Sequence, residues 1–313
     1  MPELHIQLSL WSLFLDFLRL RRSDSGWGSL TLGSLEPDLS GIVVIPPNIA
    51  QNTAERDNLR HYQSYSHRGA NFRIASTHPQ VIRREIRRQR AVLESYIKRH
   101  PGFASSLEPL ELPAGAPEVV RRMQEAATVT GVGPMAAVAG TMAHLAVDAA
   151  RAAGAGEAVV ENGGDIFLYS TDLVTVALYA GDNPLSGKLA LRVQPQRMPL
   201  AICSSSSIMG HSLSLGACDL ATVVAPDGAL ADAAATLACN LVKSPGDVPG
   251  VLQRISTLPG VCGVLIIKAD KVGVAGDLPE LIRHNDPNFS NKITKDARSG
   301  ALPAEHDQSR YRN

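Results

Sequence analysis

Residues 225–236, Ala-Pro-Asp-Gly-Ala-Leu-Ala-Asp-Ala-Ala-Ala-Thr, lead from the end of an apolar run into an alanine-rich segment. Asp227 is placed to cap a helix, because its carboxylate can accept hydrogen bonds from the first free backbone amides. At about 100° per residue, Asp232 and Thr236 share one side of that helix, and Leu230 and Leu237 lie on the other. The stretch therefore predicts a helix that carries a carboxylate beside a hydroxyl.

Asp232 has two interpretations. Asp227 already fills the cap position, so an aspartate one turn inside the helix needs solvent, a partner or an ion. The first interpretation is a solvated polar face, which every amphipathic helix has. The second is half of a magnesium site, since carboxylate and hydroxyl oxygens are the hard ligands that this ion prefers. No second charge joins Asp232 on that face before Lys243, which favours the site.

The composition excludes several classes of function. The 313 residues carry a formal net charge of zero, so no overall field attracts nucleic acid or an anionic membrane. Only 4% of the residues are aromatic, which argues against base stacking. The four cysteines form no C-x-x-C pair, and we expect buried, reduced thiols. The apolar run at 8–15 is too short to span a bilayer. We expect a cytoplasmic protein without nucleic-acid or membrane partners.

The chain divides into three parts by composition. Residues 1–58 are rich in Leu, Ser, Gly and Pro, and we expect a poorly ordered extension. Residues 59–283 have the periodicity of a folded domain. Residues 284–313 are polar and charged, and we expect a disordered tail.

Three segments before residue 154 have helical periodicity. Residues 79–100 carry a cluster of arginines, for which a solvated outer face is favoured over contact with a phosphate or an acidic partner. A helix follows at 117–130, and Pro134 opens a third that is almost wholly apolar. In this third helix His144 and Asp148 are four residues apart, and a core pair is favoured over a catalytic dyad.

Strand periodicity begins after Gly154. Residues 162–165, Asn-Gly-Gly-Asp, are predicted to turn the first hairpin, because glycine supplies positive φ. Alternatively, the bare backbone lets a ligand approach, with Asn162 and Asp165 at the rim. The predicted strands are 157–160, 166–169, 173–179, 189–193, 219–225, 261–268 and 272–275.

Residues 202–212, Ile-Cys-Ser-Ser-Ser-Ser-Ile-Met-Gly-His-Ser, are predicted to be a flexible polar loop. It is either a simple surface loop or a source of donors for phosphate oxygens from Ser204, Ser205 and Ser206. His211 is suited to act as an acid or base near neutral pH. The segment has no G-x-S-x-G motif, so a serine hydrolase is not indicated.

Four stretches occur in the order found in the ApbE-like superfamily. They are residues 133–140 (GPMAAVAG), 161–166 (ENGGDI), 210–212 (GHS) and Ala231-Asp232 with Thr236. Residues 106–110 (SLEPL) also fit an uncharacterised bacterial and archaeal branch, which the chain resembles most closely. The resemblance covers roughly residues 60 to 280. It implies an α+β fold, with a single domain in which a mixed, mostly antiparallel sheet packs against Ala-rich helices.

The resemblance also implies an activity. ApbE proteins are magnesium-dependent enzymes that split FAD and attach FMN to a threonine of an acceptor protein, and some hydrolyse FAD. Asp232 and Thr236 resemble the metal ligands, with a backbone carbonyl near Val138 as a third. The flavin-binding set would be Asn162, Gly163, Gly164 and Asp165 with the serines Ser204, Ser205 and Ser206, and His211 would be catalytic.

Two departures from the ApbE pattern leave alternatives open. Ala139 stands where a lysine is usual, and residues 211–216 (HSLSLG) replace a His-x-Ile-Asp-Pro run and lose its aspartate. The leading hypothesis is a magnesium-dependent enzyme acting on FAD or a related pyrophosphate nucleotide. One alternative is a non-catalytic flavin- or nucleotide-binding protein. Another is a structural subunit in which Asp232 faces solvent.

Overall fold

The computed structural model describes residues 43–45, 60–207 and 216–285, which belong to one compact unit. Apart from residues 43–45, the predicted N-terminal extension lies outside the described residues, as do His211 and the predicted tail after residue 285. The described residues contain twelve strands and six α-helices. The strands are β1 (Val43–Ile45), β2 (Gln63–His67), β3 (Ala70–Ser76), β4 (Glu157–Asn162), β5 (Asp165–Ser170), β6 (Val174–Ala177), β7 (Leu189–Val193), β8 (Leu200–Ser205), β9 (Leu220–Ala225), β10 (Gly263–Lys268), β11 (Lys271–Gly276) and β12 (Glu280–Arg283). The helices are α1 (Pro79–Arg99), α2 (Gly102–Ser105), α3 (Glu118–Thr130), α4 (Val138–Ala152), α5 (Gly228–Leu241) and α6 (Val248–Ser256).

Nine strands form the main sheet, in the order β1-β11-β10-β9-β8-β5-β4-β3-β2. Every neighbouring pair in it is antiparallel, and a smaller antiparallel sheet follows the order β12-β7-β6. Helices α4, α5 and α6 pack on the main sheet, and α1 and α3 pack on these helices. This architecture confirms the predicted α+β class with a mostly antiparallel sheet against Ala-rich helices.

Helix α5 begins where the sequence predicts. Asp227 is the cap, and its side chain accepts a hydrogen bond from the Leu230 amide at 2.9 Å. The helix lies between the sheet and the outer helices, so both of its sides are buried. Small side chains make this possible, because alanine lets neighbouring backbones approach closely.

Helices α4 and α5 make their closest contact through glycines. A Cβ placed on Gly140 would lie 2.1 Å from the carbonyl oxygen of Gly228, and one on Gly228 would lie 2.5 Å from that of Gly140. Neither distance leaves room for a methyl group. The two glycines therefore set the spacing at which the helices bring their side chains together.

The serine-rich segment is partly a strand, so the prediction of a loop is wrong for residues 202–205, which include Ser204 and Ser205. Both lie in β8, where the Ser204 hydroxyl is 2.8 Å from that of Thr222 on β9. Strand β8 runs between β5 and β9, and pairing on both sides outweighs the weak strand preference of serine. Ser206 and Ser207 follow the strand.

Two further findings concern the chain as a whole. All four cysteines are free; three are buried and Cys262 is partly exposed. Within the described residues, no single helix has the length and apolar character to cross a membrane. Residues 118–130 and 134–152 meet that criterion only as a pair, and they are bent by 108°.

Candidate functional site

Asp232 is buried, so the interpretation of a solvated face is wrong. Only 8% of the residue is exposed, because α4 covers the side of α5 that carries it. Its Oδ2 accepts a hydrogen bond from the Gly140 amide at 2.9 Å. The close contact of the two helices thus places a carboxylate against the first turn of α4.

The Asn-Gly-Gly-Asp segment forms the predicted hairpin turn between β4 and β5. Gly163 has φ of 66° and Gly164 has φ of 109°, which a side chain disfavours. The side-chain amide of Asn162 donates a hydrogen bond to the backbone carbonyl of Ala139, at an N···O distance of 3.3 Å. The turn therefore lies against the same first turn of α4 that Asp232 contacts, and the structure brings two of the predicted motifs together.

Asp165 and Asp232 form a pair of buried carboxylates. Burial raises the pKa of Asp165 to about 7, although contacts with Cys203 and the Ser204 amide favour its charged form. Burial and the nearby charge of Asp165 raise the pKa of Asp232 well above its ordinary value, against hydrogen bonds from the Gly140 and Ala139 amides. Among the described residues, Oδ1 of Asp165 has no hydrogen-bond partner. The raised pKa values favour protonated side chains where no cation is bound, and a cation beside the pair would favour the charged carboxylates.

The donor set fits a hard divalent ion. The described residues contain no group of three or more His, Cys, Asp or Glu side chains arranged to hold a metal. A cation here would instead combine carboxylate oxygens with hydroxyl and carbonyl oxygens, which suits Mg²⁺ and not Zn²⁺. Thr236 lies one helical turn beyond Asp232, on the same side of α5, and is partly exposed.

The other predicted residues occupy different positions around this pair. Val138 begins α4 and is partly exposed. Ser204 and Ser205 lie at the end of β8, and Ser206 is buried just beyond it. The backbone amide of Ser204 interacts with the Asp165 carboxylate. His211 falls outside the described residues, so its predicted role stays a prediction.

His144 has a structural task that the sequence did not indicate. Its Nδ1 accepts a hydrogen bond from the Gly228 amide at 3.2 Å, and its ring stacks on Phe167 at a centroid distance of 3.8 Å. Nε2 is 3.3 Å from an oxygen of Asp148. His144 therefore joins the start of α5 to α4 and the sheet, which agrees with a core pair.

Gly140, Gly228 and Cys203 also contribute to the site without having been predicted to do so. The backbone amide of Gly140 donates a hydrogen bond to Asp232. Cys203 lies in β8 close to Asp165, and its Sγ is 3.7 Å from the carbonyl oxygen of Gly228. A signal existed for Gly140, since glycine inside an alanine-rich helix costs about 1 kcal/mol and often marks close packing. Nothing local marks Cys203.

Comparisons with known proteins identify the family of the chain. The family described as "AbpE bacteria" matches residues 66–256, and the chain belongs to that family.

Its relatives include archaeal proteins. The UPF0280 protein of Methanocella arvoryzae is 46% identical over 211 residues, which is 67% of this chain and 84% of that protein. The UPF0280 protein of Methanosarcina acetivorans is 42% identical over 207 residues, covering 66% and 81%.

Solved structures with a similar fold are more distant in sequence. The flavin transferase ApbE from Vibrio cholerae has a TM-score of 0.47 and 12% identity, covering 74% of this chain and 98% of its own. The apo form of the Pseudomonas stutzeri flavinyl transferase ApbE has a TM-score of 0.43 and 10% identity, covering 75% and 97%.

Proposed function

We propose that this protein is a magnesium-dependent enzyme that acts on FAD or a related pyrophosphate nucleotide, by FMN transfer or by hydrolysis. Membership of the AbpE family supports the choice of substrate. The observation that carries the proposal is the burial of Asp165 and Asp232 near each other, with Oδ1 of Asp165 lacking a partner among the described residues. Keeping both of these side chains charged is costly without a compensating cation.

Asp232, Thr236 and a backbone carbonyl near Val138 would hold the ion, with Asp165 beside them. When bound, magnesium would neutralise charge on the pyrophosphate. The chain's own groups do the positioning. The Gly140 amide orients the carboxylate of Asp232, and the bare backbone at Gly163 and Gly164 leaves room for a nucleotide.

The proposed reaction exchanges one phosphorus–oxygen bond for another. An oxygen of water, or of a hydroxyl on an acceptor protein, attacks the phosphorus on the FMN side of FAD. The bond from that phosphorus to the bridging oxygen breaks, and AMP leaves with the electron pair. The attacking oxygen loses a proton, and His211 is the predicted acceptor of that proton.

Incubation of the full chain with FAD and magnesium tests this proposal, with FMN and AMP separated by chromatography. Asp232→Asn keeps a side-chain oxygen for the Gly140 amide but removes the charge. We expect the rate to fall by at least about a hundredfold, because several kcal/mol of charge stabilisation is lost. Asp277→Asn is the matched control, since the Asp277 side chain is 74% exposed and should leave the rate unchanged.

A non-catalytic flavin- or nucleotide-binding protein is the second candidate. The presence of Ala139 where ApbE proteins usually carry lysine favours it. Tight binding of FAD that yields no FMN in the presence of magnesium would select this candidate. Absence of both binding and products would refute both functions. An acceptor protein and a cytoplasmic location stay predictions.

A further inference from the structure

A small cavity opens beside the first turn of α4. Its volume is about 120 Å³. The β2–β3 hairpin, α1, α4 and Asn162 enclose it. The lining residues are His67, Ala70, Phe72, Ile86, Arg90, Val138, Ala139, Met142 and Asn162.

The cavity shares residues with the proposed nucleotide site. Val138 and Ala139 line it from the start of α4, and Asn162 lines it from the glycine turn. The side-chain amide of Asn162 also donates to the Ala139 carbonyl, next to the Gly140 amide that binds Asp232. The cavity therefore adjoins the residues that are proposed to hold the nucleotide.

The size and walls of the cavity select the group that it can hold. A cavity of about 150 Å³ lined by aliphatic and aromatic side chains binds benzene. The present cavity is slightly smaller, with buried walls from Phe72, Ile86 and Met142. It has room for a single ring but not for a tricyclic one.

Arginines surround His67, which lines the cavity. Arg68, Arg87 and Arg90 all act electrostatically on His67. Burial and these arginines lower the pKa of His67, so that it is neutral at pH 7 and the positive charge belongs to the arginines. Glu94 pairs with both Arg68 and Arg90. Among these side chains, three guanidinium groups and one carboxylate leave an excess of positive charge.

Arg90 is the cation that lines the cavity itself. Its Nε donates to Glu94 at 3.0 Å, and a guanidinium group has further N–H donors. Burial and the neighbouring charge of Arg68 lower the pKa of Arg90, which means that the surroundings disfavour its cation. An anion at the mouth would offset both effects.

We propose that this cavity is a specificity pocket of the same site, which takes a ring-sized group bearing a carboxylate or a phosphate, with Arg90 holding the anion. The inference rests on the proposed function for the rest of the ligand. It adds that the preferred nucleotide, or the group beside it, carries an anionic single-ring end.

Small probes test the pocket without FAD or magnesium. Benzoate and phenyl phosphate supply a ring with each anion, and benzyl alcohol supplies a neutral ring of the same size. We expect both anions, or one of them, to bind at least tenfold more tightly than benzyl alcohol in calorimetry. The tighter anion identifies the group. Equal affinity for all three probes would overturn the proposal.

Two variants and one control locate the binding. Arg90→Gln should weaken the binding of the anions at least tenfold without changing the affinity for benzyl alcohol. Ala70→Leu should fill the cavity and abolish the binding of all three probes. Arg84→Gln removes an exposed arginine of α1 that does not line the cavity, and it should behave as the wild type. Circular dichroism checks the fold. If Ala70→Leu is folded and still binds the anions, the proposal that they bind in this cavity is refuted.

The outcome is separable from that of the FAD assay. If Asp232→Asn loses turnover but probe binding does not depend on Arg90, the proposed pocket is refuted and the proposed function is supported. If a probe binds in an Arg90-dependent manner to a protein that neither binds nor splits FAD, the pocket is supported and flavin is excluded as its ligand.

Discussion

Replacing Gly140 by alanine should force α4 and α5 apart. The new Cβ would lie 2.1 Å from the carbonyl oxygen of Gly228 and 2.8 Å from Cβ of Asp232. Ordinary contact needs about 3.5 Å, so α5 has to retreat by more than about 1 Å. Both obstacles are backbone or the stem of a side chain, which cannot rotate away.

The magnitude follows from three contributions. Overpacking a tight core costs about 1–3 kcal/mol. Loss or lengthening of the hydrogen bond from Gly140 to the buried Asp232 costs about 1–2 kcal/mol more. The higher helix propensity of alanine adds about 1 kcal/mol to the free energy of unfolding. We expect the free energy of unfolding to fall by about 1–4 kcal/mol.

Urea denaturation followed by circular dichroism measures this change. Gly250→Ala is the matched control, because Gly250 is also inside a helix, α6, and its Cβ would meet nothing within 4 Å. This control should gain up to about 1 kcal/mol from helix propensity. If Gly140→Ala proves as stable as Gly250→Ala, the spacing of the helices is not set by the glycine contact, and the account of the site is wrong.

Two further predictions concern other positions. Gly164→Ala should lower the free energy of unfolding by about 1–3 kcal/mol, because a φ of 109° is strained for any residue with a side chain. Gly156→Ala, with open space around its Cβ, should change the free energy of unfolding little in the same denaturation assay. Asp219 is held by Asn183, the Ala269 amide and Lys268; burial opposes its charge, but these hydrogen bonds keep its pKa below 3.8. Its stabilisation is therefore present above pH 3.8 and is lost as the pH falls through the lowered pKa. Asp219→Asn should lower the free energy of unfolding by about 2–3 kcal/mol at pH 7 and by progressively less as the pH falls below 3.8, and a cost that does not depend on pH would contradict this explanation.

Local physical chemistry made much of the fold predictable. The cap at Asp227, the glycine turn at 162–165 and the apolar period of the helices each depend on residues adjacent in sequence, and each was found where it was predicted. The strand at 200–205 was missed because serine has no strong preference for a strand. Pairing with β5 and β9, which no local pattern reveals, decided its structure.

The sequence by itself determined the elements and the order of the motifs, and through them the resemblance to a family. It left Asp232 between solvent and a metal site, since helical spacing gives the side of a helix but not what covers that side. Only the tertiary structure excluded solvent, by closing α4 onto α5 at Gly140 and Gly228 over the side chain of Asp232, and it brought Asp165 from β5 close enough to raise the pKa of Asp232. The physical reason is that burial depends on contacts between residues distant in sequence, and a buried carboxylate has to be protonated, paired or bound to a cation.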